Sequence, residues 1–266
     1  MQLYHSAATE MEPMFRQPGQ ESNIINGKQD SSAHESVAGL IADLPLFADL
    51  EPSLHRQIEG ISRLLKAAED AVLSLQGEMP RYLHILLDGQ VALTSTMADG
   101  TTAVILVVHP GEHFILPSVL AGLPYLMTAR ALMAVRAVAV DGVALRQLAE
   151  REPLLASALL RSMSYEFRGM VQQVRDLKLR TAAQRLGCYL LARVQDAEAR
   201  KADFRLPFEK ALLAAQIGCG QETLSRAFAA LRRHGVETHG SRVILHDIPR
   251  LRLLALPDGP GEFSPA

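Results

Sequence analysis

The stretch Ile217-Gly218-Cys219-Gly220-Gln221-Glu222-Thr223-Leu224-Ser225-Arg226 reads as the turn and the opening of the second helix of a helix-turn-helix. Upstream, apolar residues at 208, 212, 213 and 217 give the segment from Phe208 to Ile217 one helical face. Gly218 and Gly220 lie in the turn, where a residue without Cβ lets the backbone reverse. Downstream, Leu224, Phe228 and Leu231 repeat at helical spacing, while Gln221, Glu222, Ser225, Arg226 and Arg232 fall on the other side. A helix that is apolar behind and polar or basic in front suits the major groove, where base edges present donors and acceptors.

Working toward the N-terminus, residues from Glu152 to Leu179 form one long helical pattern with Pro153 in its first turn. Leu160, Met163, Phe167, Met170, Val174 and Leu177 are spaced 3, 4, 3, 4, 3, a heptad seam that predicts a parallel homodimer. The competing reading packs this stripe on the chain's own barrel, and part of the face can do both. Thr181 to Gln195 is a further helix with Leu186, Tyr189, Leu190 and Val194 inward and Cys188 on the apolar side. Arg200 to Asp203 reads as a loop, Arg242 to Leu245 as a strand of a β-wing, and the Pro- and Gly-rich end from Leu256 as a tail.

Between about residues 66 and 145 the pattern changes to short strands separated by turns. Tyr82–Leu87, Val91–Thr96 and Ala103–Val108 are bounded by Gly77-Glu78, Asp88-Gly89, Asp99-Gly100 and Pro110-Gly111. Repeated strands of this kind indicate a jelly-roll barrel. A helical lead-in covers 37–65, broken at Leu44-Pro45-Leu46-Phe47. The expected class is therefore α+β. A polar, disordered arm spans 1–36, a sensor barrel 37–150, the dimerisation helix 151–179, a winged helix-turn-helix 180–255 and a flexible tail 256–266.

Length and composition fit this division. The chain has 266 residues, 48% of them hydrophobic, enough for two cores. No apolar run reaches the roughly 18 residues a membrane helix needs, and no basic-then-apolar leader opens the sequence, so no membrane association is expected. Cys188 and Cys219 are the two cysteines, which leaves no disulfide framework and fits a cytoplasmic protein. Residues 178–252 carry 14 Lys and Arg against 7 Asp and Glu, whereas residues 1–177 carry 13 against 20. A basic C-terminal module behind an acidic sensor suits phosphate contact at one end. Nucleophile elbow, Walker loop and His-Glu-x-x-His patterns are all missing, so an enzyme is not expected.

Glu222-Thr223-x-Ser225-Arg226, followed by Leu231 and His234-Gly235-Val236, resembles the recognition helix of the superfamily named for the cyclic-AMP receptor protein and the fumarate-nitrate reduction regulator (CRP/FNR). The order Glu-Thr-x-Ser-Arg is that of the fumarate-nitrate branch. Gly77-Glu78, Leu83-His84-Ile85-Leu86-x-x-Gly89-x-Val91 and Pro110-Gly111-Glu112 resemble the cyclic-nucleotide-binding barrel of the same superfamily. The resemblance spans residues 40 to 254. It implies a transcriptional regulator, double-stranded DNA and RNA polymerase as partners, and a TTGAT-type half-site repeated as ATCAA. Arg226 would contact guanine, Glu222 cytosine and Ser225 a base edge, with Gln221 and Thr223 at phosphate.

The effector is read by difference from the family. Cyclic-nucleotide receptors hold ribose with the glutamate of a Gly-Glu-Leu segment and phosphate with an Arg-Ser pair. Leu116 and Met127-Thr128 stand at those places, so cAMP is not expected as effector. An iron-sulfur cluster is not expected either, because residues 1–35 hold no cysteine. Phe114 to Ala131 resembles the nitric-oxide-responsive denitrification regulators. That makes haem a candidate cofactor, with the barrel histidines His84, His109 and His113 as candidate axial ligands and His109 the exposed one. The alternative is an effector-independent regulator of the FixK type. Cys219 adds a redox candidate, since a helix N-terminus lowers a thiol pKa.

Overall fold

The computed structural model describes residue 37 and residues 39–256, apart from 101, 195, 197 and 207–209. The arm 1–36, the tail beyond 256 and Phe208 of the first helix-turn-helix face lie outside the described residues. The chain divides into two compact units on either side of Met163, a division that falls within the long helix.

The first unit opens with α1 (Leu40–Asp43) and α2 (Pro52–Gly60), the latter with Pro in its first turn. Strand β1 (Ser62–Ala67) follows at once, so the helical lead-in ends at Gly60, not at 65. Then come β2 (Val72–Ser74), β3 (Tyr82–Asp88), β4 (Val91–Thr96), β5 (Thr102–Val108) and β6 (His113–Phe114). Short α3 (Leu116–Ala121) precedes β7 (Thr128–Ala131), β8 (Val135–Asp141) and α4 (Gly142–Arg151). Two antiparallel four-stranded sheets result, in the orders β1-β8-β3-β6 and β2-β7-β4-β5. Gly89 (φ +89) turns the β3–β4 hairpin, and a Cβ there would stand 2.5 Å from the Ala134 carbonyl oxygen, so no other residue fits.

Side-chain alternation sorts this unit into two cores. Leu86, Val91, Leu93, Val108, Phe114, Ala129, Ala137 and Ala139 fill the space between the sheets. Leu83, Ile85, Val138 and Val140 point out of the same strands into a second core, closed by Phe47, Leu54, Ile58, Leu116, Leu145, Leu155 and Leu159 from the helices. The long helix α5 (Pro153–Leu179) thus begins as one wall of the outer core.

The second unit contains α6 (Ala182–Leu191), β9 (Ala202–Arg205), α7 (Lys210–Gln216), α8 (Gln221–Arg232), β10 (Val236–His239), β11 (Arg242–Leu245) and α9 (Ile248–Ala255). Thr181 caps α6 in a reciprocal box with Gln184. That helix ends at Leu191, four residues short of the expected Gln195. The segment from Ala202 is not a loop: it pairs with β11 in a three-stranded sheet of order β10-β11-β9, held at its edge by the Arg242–Asp203 ion pair. One core, including Leu186, Leu190, Leu213, Leu224, Phe228, Leu231, Val243 and Leu251, joins all these elements. Among the described residues no helix is long and apolar enough to cross a membrane.

Candidate nucleic-acid interface and sensor barrel

Helix α8 is built as the sequence requires. Leu224, Ala227, Phe228 and Leu231 are buried on one face. Gln221, Glu222, Thr223, Ser225 and Arg226 are all exposed on the other. Arg226 is paired one turn back with Glu222 at 2.5 Å, with both side chains more than three-quarters exposed. The Ser225 hydroxyl donates to the Gln221 carbonyl at 3.0 Å, which leaves its oxygen able to accept. The five positions therefore form one contiguous donor and acceptor surface at a helix N-terminus, where the dipole also favours phosphate.

The turn before α8 uses its two glycines differently. Gly218 has φ +68, and a Cβ on it would lie 2.4 Å from Cδ2 of Leu177. Gly220 has φ −74 and open space around it, so it serves as an ordinary N-cap. Arg185 of α6, which the sequence did not single out, donates to the Ile217 carbonyl at 2.7 Å and the Gly218 carbonyl at 3.1 Å. Its partners at the turn lie over 30 residues away, so no local pattern points to that contact. Cys219 lies beside this turn, half-buried. Burial pushes its thiol up, against the smaller lowering effect of Arg185, which reverses the expected activation by the helix terminus. Cys188 is buried, as expected, with the Arg180 guanidinium 2.7 Å from its sulfur.

Along α5, Leu160, Phe167, Met170, Val174 and Leu177 are each 44% exposed or more among the described residues, an apolar stripe along one side of the helix. Met163 alone of the seam packs against the outer barrel core, and Leu177 also touches the helix-turn-helix turn through Gly218.

The barrel separates the three histidines. His84 lies in the middle of β3, buried between the sheets with its ring stacked on Phe114 at 5.2 Å and edge-on to Tyr82. Its Nδ1 has no hydrogen-bond partner among the described residues. His113 stands opposite Ile85 on the outer face of the same sheet, and its Nε2 is 2.5 Å from the Ser162 hydroxyl of α5. His109 follows β5, half-buried rather than exposed, and its backbone N–H donates to Glu112 Oε2. The interior of the barrel thus receives one imidazole of the three. Leu116 is fully buried in the outer core, Met127 packs on the inner one, and the Thr128 hydroxyl accepts from the Gln76 N–H. Ile115, just before Leu116, is held at φ +62, a conformation that costs a β-branched residue about 1–2 kcal/mol. Among the described residues no group of three or more His, Cys, Asp or Glu is arranged to hold a metal ion.

Residues 64–152 match the cyclic nucleotide-binding domain and residues 184–254 the Crp-like helix-turn-helix domain, together more than half of the chain. The chain belongs to the CRP/FNR superfamily. A CRP-like cAMP-activated global transcriptional regulator of Mycobacterium tuberculosis is 24% identical over 80% of this chain and 96% of its own length. The transcriptional activator protein Anr of Pseudomonas aeruginosa is 30% identical over 55% of this chain and 63% of its own. The structure of FixK2 from Bradyrhizobium japonicum covers 75% of this chain and all of its own, with a TM-score of 0.62 at 20% identity, a likeness of fold. The chain is a CRP/FNR-type transcriptional regulator with a DNA-binding helix-turn-helix, not an enzyme.

One residue of this CRP/FNR barrel is expected to give it an acid response. Burial, with a smaller contribution from Arg63, holds the His84 imidazole down at about 4, against about 6.5 for a free histidine. The unfolded chain therefore takes up the proton first as pH falls. The contribution to stability is complete above pH 6.5 and is lost progressively down to pH 4, by about 3 kcal/mol in all. In urea unfolding at stepped pH, His84→Phe is expected to lack this component of the decline. Equal slopes for variant and parent between pH 6.5 and 4 would rule His84 out as its source.

Proposed function

We propose that the chain acts as a homodimer reading a two-fold duplex site, with TTGAT-type half-sites about one turn, ~34 Å, apart. The observation that carries this reading is α8: Glu222, Ser225 and Arg226 share one fully outward face over a fully buried one. Arg226 would bond guanine O6 and N7, Glu222 would accept from cytosine N4, and Gln221 and Thr223 would meet phosphate. The exposed stripe on α5 would supply the two-fold contact. Regulation then acts through RNA polymerase at the promoter. Selection from a random duplex pool by the full chain is the test. Enrichment of an inverted repeat with TTGAT-like arms supports the reading, and enrichment of single or direct repeats contradicts it.

The barrel is read as insensitive to cAMP. The mycobacterial relative is described as cAMP-activated. Here Leu116, in the family's ribose position, is sealed in an apolar core, and Met127-Thr128 offers no cation for a cyclic phosphate. A haem-based nitric oxide sensor rests on His84 alone, an imidazole inside the barrel that burial holds neutral and whose Nδ1 has no hydrogen-bond partner among the described residues. His109 and His113 do not join it, so a bis-histidine site does not fit. Bound haem would supply gas ligation, while the chain's part would be to hold one buried imidazole neutral. The effector-independent FixK-type reading is favoured by the dense packing around that ring, where Phe114 lies flat against it. Titration with haemin decides: a sharp Soret band at one haem per subunit, lost in His84→Phe, supports the sensor, and a broad adsorbed-haemin spectrum supports the effector-independent regulator.

A further inference from the structure

We infer that Arg185 is the positioning residue that fixes the helix-turn-helix turn to the end of the long helix. Its guanidinium spans three backbone carbonyls: Nε reaches Ile217 at 2.7 Å, one terminal nitrogen reaches Gly218 at 3.1 Å, and the other reaches Arg180 at 2.7 Å. Two of these oxygens lie just past the end of α7, and the third just past the end of α5. Helix C-termini leave such carbonyls without intrahelical partners and carry the negative end of the dipole, so one cation serves both ends. A planar fork with five donors can meet three acceptors in different directions, which a lysine ammonium on its single stem cannot do in the same place.

The fork is itself held in place. Arg185 is the fourth residue of α6, whose first turn is tied down by the Thr181–Gln184 capping box. A second, apolar contact runs parallel to the polar one. The Leu177 side chain occupies the notch left by the missing Cβ of Gly218. Asp176 and Arg180 add an ion pair at 3.0 Å, and Arg180 also donates to the Ala255 carbonyl. A shift of the end of α5 must therefore carry the turn, and α8 after it, or break charge-assisted bonds. The inference rests on the reading that α8 contacts DNA, but its structural half can be measured without DNA.

The experiment compares full-length parent, Arg185→Gln and Arg185→Lys at a temperature where all three are folded by circular dichroism. Two quantities are read. One is the ratio of affinity for the duplex selected by the parent to affinity for its scrambled sequence, over a range of salt. The other is amide hydrogen exchange in the peptide spanning 215–224 of the free protein. Both variants are expected to lose roughly tenfold or more of the ratio and to exchange roughly tenfold faster in that peptide, as expected for losing bonds from a charged donor. The salt dependence is expected to stay unchanged. A purely structural role lowers specific and scrambled affinities together and leaves the ratio intact, which would overturn the inference. So would a salt slope reduced by about one, the mark of a lost phosphate contact. Unchanged exchange in 215–224, or full rescue by Lys, would also overturn it. If the parent shows no preference for any selected duplex, the DNA-reading assignment fails, and the exchange data alone decide for or against Arg185.

Discussion

Arg226→Ala is expected to abolish sequence-selective binding while leaving the fold unchanged. The side chain is more than three-quarters exposed and its one close partner, Glu222, is as exposed, so the folded chain loses nothing that counts. A bidentate contact to guanine is worth about 1–3 kcal/mol of discrimination, and a two-fold complex loses two of them. The expected loss is roughly thirty-fold to twenty-thousand-fold in affinity for the selected inverted repeat. Affinity for a scrambled duplex falls only by the share of one charge per subunit. Titration of both duplexes at one salt concentration tests this, and equal affinities in variant and parent would remove Arg226 from the base-reading surface.

The second large effect is expected from Phe167→Asp. Phe167 is 66% exposed in the single chain, on a stripe with Leu160, Met170 and Val174, so a carboxylate there meets water and the monomer fold survives. In a two-fold pair each copy brings its own Phe167 to the seam, and an aromatic ring buries about 150–250 Å². Two facing carboxylates remove that burial and repel each other. Sedimentation at concentrations where the parent is a dimer is expected to show a monomer. Affinity for the inverted repeat is expected to fall by roughly a hundredfold or more, because the half-sites are no longer engaged by one particle. A dimer of unchanged stability would place the interface elsewhere and return the stripe to a role within one chain.

The strands bounded by strong turns could be read directly from the sequence. Val91–Thr96 agrees with the expectation to the residue, because Asp88-Gly89 and Asp99-Gly100 allow no extension. Strand β1 did not show, because Ser62-Arg-Leu-Leu-Lys-Ala has no alternation strong enough to oppose the helical pattern before it. Strand β9 looked like a loop because its pairing partner lies about 40 residues away and its own residues are half polar. Helices α4 and α9 carry local signals of their own: Asp141 and Asp247 cap them, and Pro249 stands in the first turn of α9. The outward face of α8 was readable in full, since helical spacing alone puts Glu222, Ser225 and Arg226 opposite Leu224, Phe228 and Leu231. The barrel histidines were not. Residue type marks an imidazole, but whether it turns into the sandwich, as His84 does, or out of it, as His113 does, depends on strand register.

The joint between α5 and α6 is only Arg180 and Thr181 long. The Arg180 N–H still bonds back to the Asp176 carbonyl as a helix residue would, and Thr181 is already the cap of the next helix. A tether this short and stiff has almost no slack to average over. Once one arm of a dimer sits on its half-site, the other is presented to the second half-site at a high local concentration, in a narrow range of distances. Such a coupling rewards correctly spaced arms with avidity and gives little to arms a few base pairs too near or too far. On the proposed reading of a dimer on paired half-sites, the two-residue joint would make their spacing, as much as their letters, part of what is recognised.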